Sequence, residues 1–195
     1  MALAFVRADG LTVRRRYTIR HFDRNRLLMD LDFVMHGDGP GMRWAEGARA
    51  GAAIDAIGPR GKITLAPDSD WHLFAGDATA VPGALAMLEA LPSDVPARAF
   101  LQVDNAEERQ PFDRKDRQEV TWQYGAAAVE PLASAEADLP AGRGHAYLAG
   151  EVALVLGLKN SLLSRGWSAD QISAKAYWNR GRANAGNGEP EQRAA

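Results

Sequence analysis

The sequence predicts a β-rich front followed by a doubly wound α/β rear. Two observations carry this. Apolar and polar residues alternate through residues 13–36, the period of half-buried strands. From Trp71 onward, short apolar runs of strand length alternate with apolar helical stretches, the order of a parallel sheet with crossover helices.

In the front, Val13 to Ile19 alternates and places Val13, Arg15, Tyr17 and Ile19 on one face. Asp23-Arg24-Asn25 is polar turn material, and Leu27 to Val34 alternates again. Asp38-Gly39-Pro40-Gly41 breaks the strand, and Met42 to Ala50 suits a short helix. Ile54 to Ile57 reads as a strand entering the turn Gly58-Pro59-Arg60-Gly61. This β-rich part, to about residue 66, fits a small antiparallel barrel or sheet. In the rear, Trp71 to Gly76, Ala97 to Val103, Val120 to Tyr124 and Ala146 to Ala149 read as strands. Helices are expected over Ala80 to Leu91, stopped by Pro92, and from Glu151 to Arg165. Residues 106–118 read as a solvated loop or exposed helix, and Gly186 to Ala195 as a disordered tail.

Composition narrows the function classes. The chain of 195 residues is 46% hydrophobic and 25% charged, with a net charge of −2. That balance gives no reason to expect a nucleic-acid binder, despite the arginines between 14 and 26, or a membrane-surface protein. Cysteine is absent, which excludes disulfides and thiolate metal sites. His21, His36, His72 and His145 show no ligand spacing. The start, Met1 to Arg7, is too short an apolar stretch for a signal peptide, and no segment approaches the ~18 apolar residues of a spanning helix. The default expectation is a soluble cytoplasmic protein without membrane insertion.

Arg15-Arg16-Tyr17-Thr18 is the first stretch with chemistry in it. A flavin needs a flat aromatic lid, a cation for its pyrophosphate and a small polar group near the ring edge. Arg15, Tyr17 and Thr18 are those residue types, although an ordinary exposed strand carries them too. Gly39-Pro40-Gly41-Met42 before a helix suits a diphosphate through free N–H groups, and is also a common helix start. Gly76-Asp77-Ala78-Thr79-Ala80-Val81-Pro82 follows the first rear strand and opens a helix, where open parallel sheets bind ligands. Gly150-Glu151 occupies the same kind of position.

These stretches occur in one order with Asp32-Phe33-Val34-Met35-His36-Gly37, Trp44-Ala45, Asp70-Trp71 and Tyr177-Trp178. The ordered set, spanning residues 13–182, resembles the siderophore-interacting protein family. The resemblance implies a partial antiparallel β-barrel FAD domain at 1–66 and a doubly wound parallel-sheet NAD(P)H-binding domain at 67–185. It also implies further barrel strands ahead of Arg15 than residues 1–12 supply. By resemblance, Arg15, Tyr17, Thr18 and His36 contact FAD, with Gly41, Met42, Asp77, Thr79 and Ala80 also on the cofactor side. Lys175, Arg180 and Arg182 become candidates for an anionic ferric siderophore. Ala78, Gly83, Gln123 and Asn179 depart from the family's usual Glu, Ala, Arg and Arg. The implied activity is a ferric-siderophore reductase: hydride from NAD(P)H to FAD, then electrons to chelated Fe³⁺. The alternative is a non-catalytic flavin- or nucleotide-binding module.

Overall fold

The computed structural model describes residues 1–7, 9–35, 39–61, 63–125 and 139–181. The chain divides into two compact units, Met1–Thr64 and Leu65–Ala195.

The first unit holds strands β1 (Ala2–Val6), β2 (Thr12–Arg16), β3 (Ile19–Asp23) and β4 (Leu28–Leu31), helix α1 (Pro40–Gly47) and the short strand β5 (Ala56–Ile57). β1 is central in an antiparallel sheet of order β2-β1-β5, and β3 pairs with β4 as a separate hairpin. Among the described residues the strands form no closed barrel. The sequence pattern does not announce β1, yet this strand builds the core of the unit. Its alternation turns Leu3 and Phe5 inward, at 1% and 2% exposure. The hairpin also sits later than the sequence suggests. Met1 and Tyr17 exchange backbone hydrogen bonds of 2.8 Å beside the last β1–β2 pair, Ala2 with Arg16. A new strand then begins at Ile19. Asp23 accepts from the N–H groups of Asn25 and Arg26, at 2.9 and 3.0 Å, and this Asx turn starts the reversal into β4. α1 begins two residues earlier than expected, because Pro40 occupies its first turn with a preset φ.

The second unit contains β6 (Trp71–Gly76), α2 (Val81–Ala90), β7 (Ala97–Val103), β8 (Gln118–Tyr124), β9 (Gly144–Glu151), α3 (Val152–Ser164) and β10 (Ile172–Trp178). The strands form one parallel sheet of order β10-β9-β6-β7-β8. All six residues of β6 are buried, as its unbroken apolar run requires of a strand covered on both faces. On one face Trp71, Leu73, Ala75, Ala146 and Leu148 meet Val155, Leu158 and Leu162 of α3. Burying each of these leucines stabilises the unit by about 1.5–3 kcal/mol. The carbonyls at the end of α2 are capped from the loop before β8. Gln118, fully buried, donates to Leu88 O at 2.6 Å, and the Lys115 ammonium donates to Glu89 O at 2.7 Å and to Leu91 O. β10 is a strand that the sequence pattern does not reveal. Ile172, Ser173, Ala174, Lys175 and Ala176 are too small and mixed to form an apolar stripe, and none of them is fully buried. The expected tail at 186–195 lies outside the described residues.

On the opposite face, His72 is buried at 3% exposure, with Nδ1 3.3 Å from the Tyr147 hydroxyl. That hydroxyl accepts from the Ala66 N–H at 2.7 Å, and its ring stacks on Phe74 at 5.0 Å. Burial, and then the neighbouring His145, lowers the pKa of His72. His145 is itself lowered by burial and by Arg143, against Asp170, and its Nε2 lies 2.9 Å from Ser173 Oγ. A folded-state pKa below the unfolded one makes the unfolded chain the stronger proton binder. The stability that depends on neutral His72 is therefore complete above about pH 6.5 and lost as the pH falls below it. Denaturant midpoints should fall between pH 7 and pH 5, and His72→Phe should flatten part of that slope.

Candidate functional site

From β6 the chain moves outward through β7 and β8, then returns to β9 and β10 on the other side. The strand order therefore reverses between β6 and β9, and open α/β sheets bind ligands outside the carboxyl ends of strands at such a point. The residues there are Gly76-Asp77 and Gly150-Glu151. A Cβ on Gly76 would collide with the carbonyl oxygen of Ala149 and, at 2.5 Å, with Ala80. Gly150 adopts φ 133°, and a Cβ there would stand 2.6 Å from Asp77 Oδ2.

Asp77 gathers four donors. Its Oδ1 accepts from the Thr79 N–H at 2.9 Å and the Thr79 hydroxyl at 2.5 Å. Its Oδ2 accepts from the Glu151 N–H at 2.7 Å and the Trp178 indole N–H at 2.9 Å. One carboxylate thus links the ends of β6, β9 and β10. Glu151 works in a similar way. Oε2 caps α3 by accepting from Ala153 and Leu154 N–H groups at 2.5 and 3.2 Å, and Oε1 accepts from the Arg180 N–H at 3.2 Å. Its slight burial pushes the carboxyl pKa up, but the N–H groups of Arg180, Leu154 and Ala153 outweigh this and hold it below the usual range. Tyr177 is raised by burial and by the negative charge of Asp77.

In the front unit, Leu3 pairs with Arg15, so the half-buried Arg15 shares the inward face of the sheet. Its Nη1 donates to Arg14 O at 2.9 Å. The Tyr17 ring lies 4.2 Å from Phe33 and 6.0 Å from Phe5, and Trp44 completes the cluster at 6.0 Å from Phe33. The Tyr17 hydroxyl occupies the space that a Cβ on Gly41 would need. Tyr17 and the first turn of α1 are thereby brought together, with Met42 half-buried beside Gly41. Burial raises the phenol pKa, opposed by Arg15. Thr18 is half-buried at the break between β2 and β3.

The structure brings Arg15, Tyr17, Gly41 and Met42 into one group, and Asp77, Thr79 and Ala80 into another. Ala80 is 5% exposed and closes on Gly76. Lys175 is half-buried on β10 and Arg180 is exposed just after it. His36 and Arg182 lie outside the described residues. The clasp of Trp178 and Arg180 by Asp77 and Glu151 escapes sequence reasoning. Asp77 and Trp178 are 101 positions apart, and no local pattern couples them. Among the described residues no group of His, Asp or Glu is placed to hold a metal ion. No described helix is long and apolar enough to cross a membrane.

An antiparallel front unit followed by a five-stranded parallel sheet with a crevice at its reversal point defines a chain of ferredoxin-reductase-like fold. A ferredoxin NADP+ reductase from Neisseria gonorrhoeae shares that fold at TM-score 0.65 and 17% identity. More specifically, the chain belongs to the siderophore-interacting protein family. Residues 69–181 match the siderophore-interacting protein domain, and residues 3–63 match the siderophore-interacting FAD-binding domain. The ferric vibriobactin reductase ViuB of Vibrio cholerae is 36% identical over 178 residues, a match covering 87% of this chain and 66% of ViuB. The chain thus spans just under two thirds of that relative. A siderophore utilization protein from T. fusca superposes at TM-score 0.81 with 33% identity, covering 93% of this chain and 71% of the other. The siderophore-interacting protein SipS from Aeromonas hydrophila superposes at 0.77 with 26% identity, covering 94% and 79%.

Gly150→Ala should strain a positive-φ position and push Asp77 off its donors. A loss of about 2–4 kcal/mol is expected from urea midpoints. Gly47→Ala, in α1 with nothing within 4 Å of its Cβ position, should cause no loss and raise stability by up to about 1 kcal/mol.

Proposed function

We propose that this chain carries out ferric-siderophore reduction, using FAD and a reduced pyridine nucleotide. The observation that supports this reading is the tandem order of the two family domains, 3–63 and 69–181, with the second folded into a sheet that reverses at Gly76-Asp77 and Gly150-Glu151. The overall reaction balances as one NAD(P)H and two chelated Fe³⁺ giving NAD(P)⁺, a proton and two Fe²⁺. Hard-oxygen chelators hold Fe²⁺ far less firmly than Fe³⁺, so reduction releases the metal.

The residues of the front unit fit a flavin dinucleotide. The first turn of α1 contains no acidic residue and no side-chain cap, so among the described residues nothing occupies the N–H groups of Gly41 and Met42, which suit a diphosphate. Arg15 supplies a cation on the same side of the sheet as Tyr17, and Tyr17 offers an aromatic ring backed by Phe33. Thr18 adds a small hydroxyl next to them. When bound, FAD supplies a carrier that accepts two electrons together and gives them up singly. The protein's own work is to hold and orient. Asp77 and Thr79 shape the reversal-point crevice for the nicotinamide end of the donor. Lys175 and Arg180 offer cations to an anionic siderophore. His36 and Arg182 join the flavin and siderophore sides respectively on the family resemblance.

The test is a purified preparation and its visible spectrum. Bound yellow flavin, bleached anaerobically by NADH or NADPH and restored by a ferric chelate with Fe²⁺ appearing, is the expected outcome. A colourless protein that ignores added FAD would sink the reading and leave a non-catalytic module. Arg15→Ala should weaken FAD binding about ten- to a hundredfold by loss of a charge-assisted contact, measured by flavin fluorescence quenching.

A further inference from the structure

We infer that Asp77 is a positioning residue for the siderophore side of the site, acting through Trp178 and Arg180; this rests on the function proposed above. The sequence places Asp77 in a turn that opens a helix at the nucleotide crevice, where it reads as a ligand contact. Its geometry gives it further work. All four hydrogen bonds described at its two oxygens come from the protein, and they span three strand ends. The Oδ1 pair is local and fixes the turn to Thr79. The Oδ2 pair is long-range, reaching 74 positions to Glu151 and 101 to Trp178.

Trp178 is the last residue of β10, and the pairing of β10 with β9 shifts register between Ala176 and Trp178. Strand pairing therefore does not by itself set the course of the chain beyond Trp178. The indole N–H held by Asp77 fixes that course just past the irregularity. The Arg180 N–H held by Glu151 Oε1 fixes it again further along the chain. The raised pKa of Tyr177, due in part to Asp77, shows the carboxylate's field reaching this segment. Lys175 precedes the clasped segment on β10, and Arg180 is clasped through its own N–H. Loosening the clasp lets the Arg180 cation wander, while the Thr79 turn retains its own backbone bonds, such as Ala80 N–H to Asp77 O at 2.8 Å.

Asp77→Asn tests this. An amide keeps one acceptor oxygen and sets an NH₂ against the remaining donors. Trp178→Phe removes the indole N–H together with part of the ring, leaves the Asp77 carboxylate in place, and serves where the first variant folds poorly. The probe is the ferric complex of 2,3-dihydroxybenzoate, an anionic oxygen chelate. Its binding to the flavin-free protein is followed by quenching of tryptophan emission, and its reduction by the flavin-loaded protein is followed through Fe²⁺. Both variants should raise the Kd and the KM for the chelate about tenfold. In Trp178→Phe the anaerobic rate of flavin bleaching by NAD(P)H should stay within twofold of wild type. Leu162→Val, in the core beneath α3, reports generic loosening. An unchanged chelate Kd in both variants, an equal loss in the bleaching rate of Trp178→Phe, or the same Kd rise in Leu162→Val would overturn the inference. Wild-type protein that neither bleaches nor reduces the chelate would instead remove the proposed function.

Discussion

Everything at the crevice depends on how closely β6 and β9 approach at their carboxyl ends. Parallel strands in register bring Gly76 opposite Ala149, and the Ala149 carbonyl takes the space of a missing side chain. One residue further, Gly150 leaves room for the Asp77 carboxylate. Two glycines therefore convert a strand pair into a socket for one acid. With Asp77 seated, the backbone N–H of Glu151 has a partner, and α3 can start immediately after the strand. The reversal of strand order supplies the place for a ligand, and the glycines determine what lines it.

The two helix starts named in the functional reading are treated differently. α3 begins with Glu151, whose carboxylate already satisfies two N–H groups of the first turn. An incoming phosphate would have to displace that acid and would meet its negative charge. α1 begins at Gly39 and Pro40 with no side-chain cap and no acid. By the logic of helix dipoles, α1 is the better diphosphate seat and α3 the poorer one. That contrast suits a front unit matched to FAD binding. It also leaves the crevice of the second unit to groups that do not depend on the start of α3.

The fold is most legible in the sequence where burial is two-sided. β6 stands out with its observed bounds, because an apolar run of that length flanked by turn residues fits a covered strand and little else, and β7 follows from the alternation of Ala97, Ala99, Leu101 and Val103. Legibility is lowest where small residues carry the strand. β1 reads only as a short apolar stretch and β10 as a basic segment, since Ala2, Ala4, Ala174 and Ala176 sit in their strands without announcing a face. The hairpin of β3 and β4 is misplaced by the sequence pattern for another reason. Alternation from Val13 to Ile19 runs without interruption, whereas pairing with β1 ends near Tyr17 and a new pairing, Ile19 with Leu31, begins. Arg15, Tyr17 and Asp77 are visible as chemistry. Their partners are not, because contacts such as Asp77 with Trp178 exist only after the sheet has formed.

The front unit shows why its site residues are unequal probes. Its sheet has three strands, one of them two residues long, and an isolated two-stranded hairpin is marginal in water. That hairpin exposes Phe22, Leu27 and Leu28 at 53%, 78% and 52%. Its apolar side chains therefore add little buried area to the unit. What remains is the inward face of β1 and the cluster of Phe5, Tyr17, Phe33 and Trp44. Tyr17 belongs to that cluster and also presses its hydroxyl on Gly41, so removing the ring would disturb the unit and any cofactor contact together. Arg15 makes its one described hydrogen bond to its neighbour's carbonyl and stands outside the aromatic cluster. A loss of flavin affinity on its removal would therefore report on the cation, whereas the same loss at Tyr17 would confuse binding with folding.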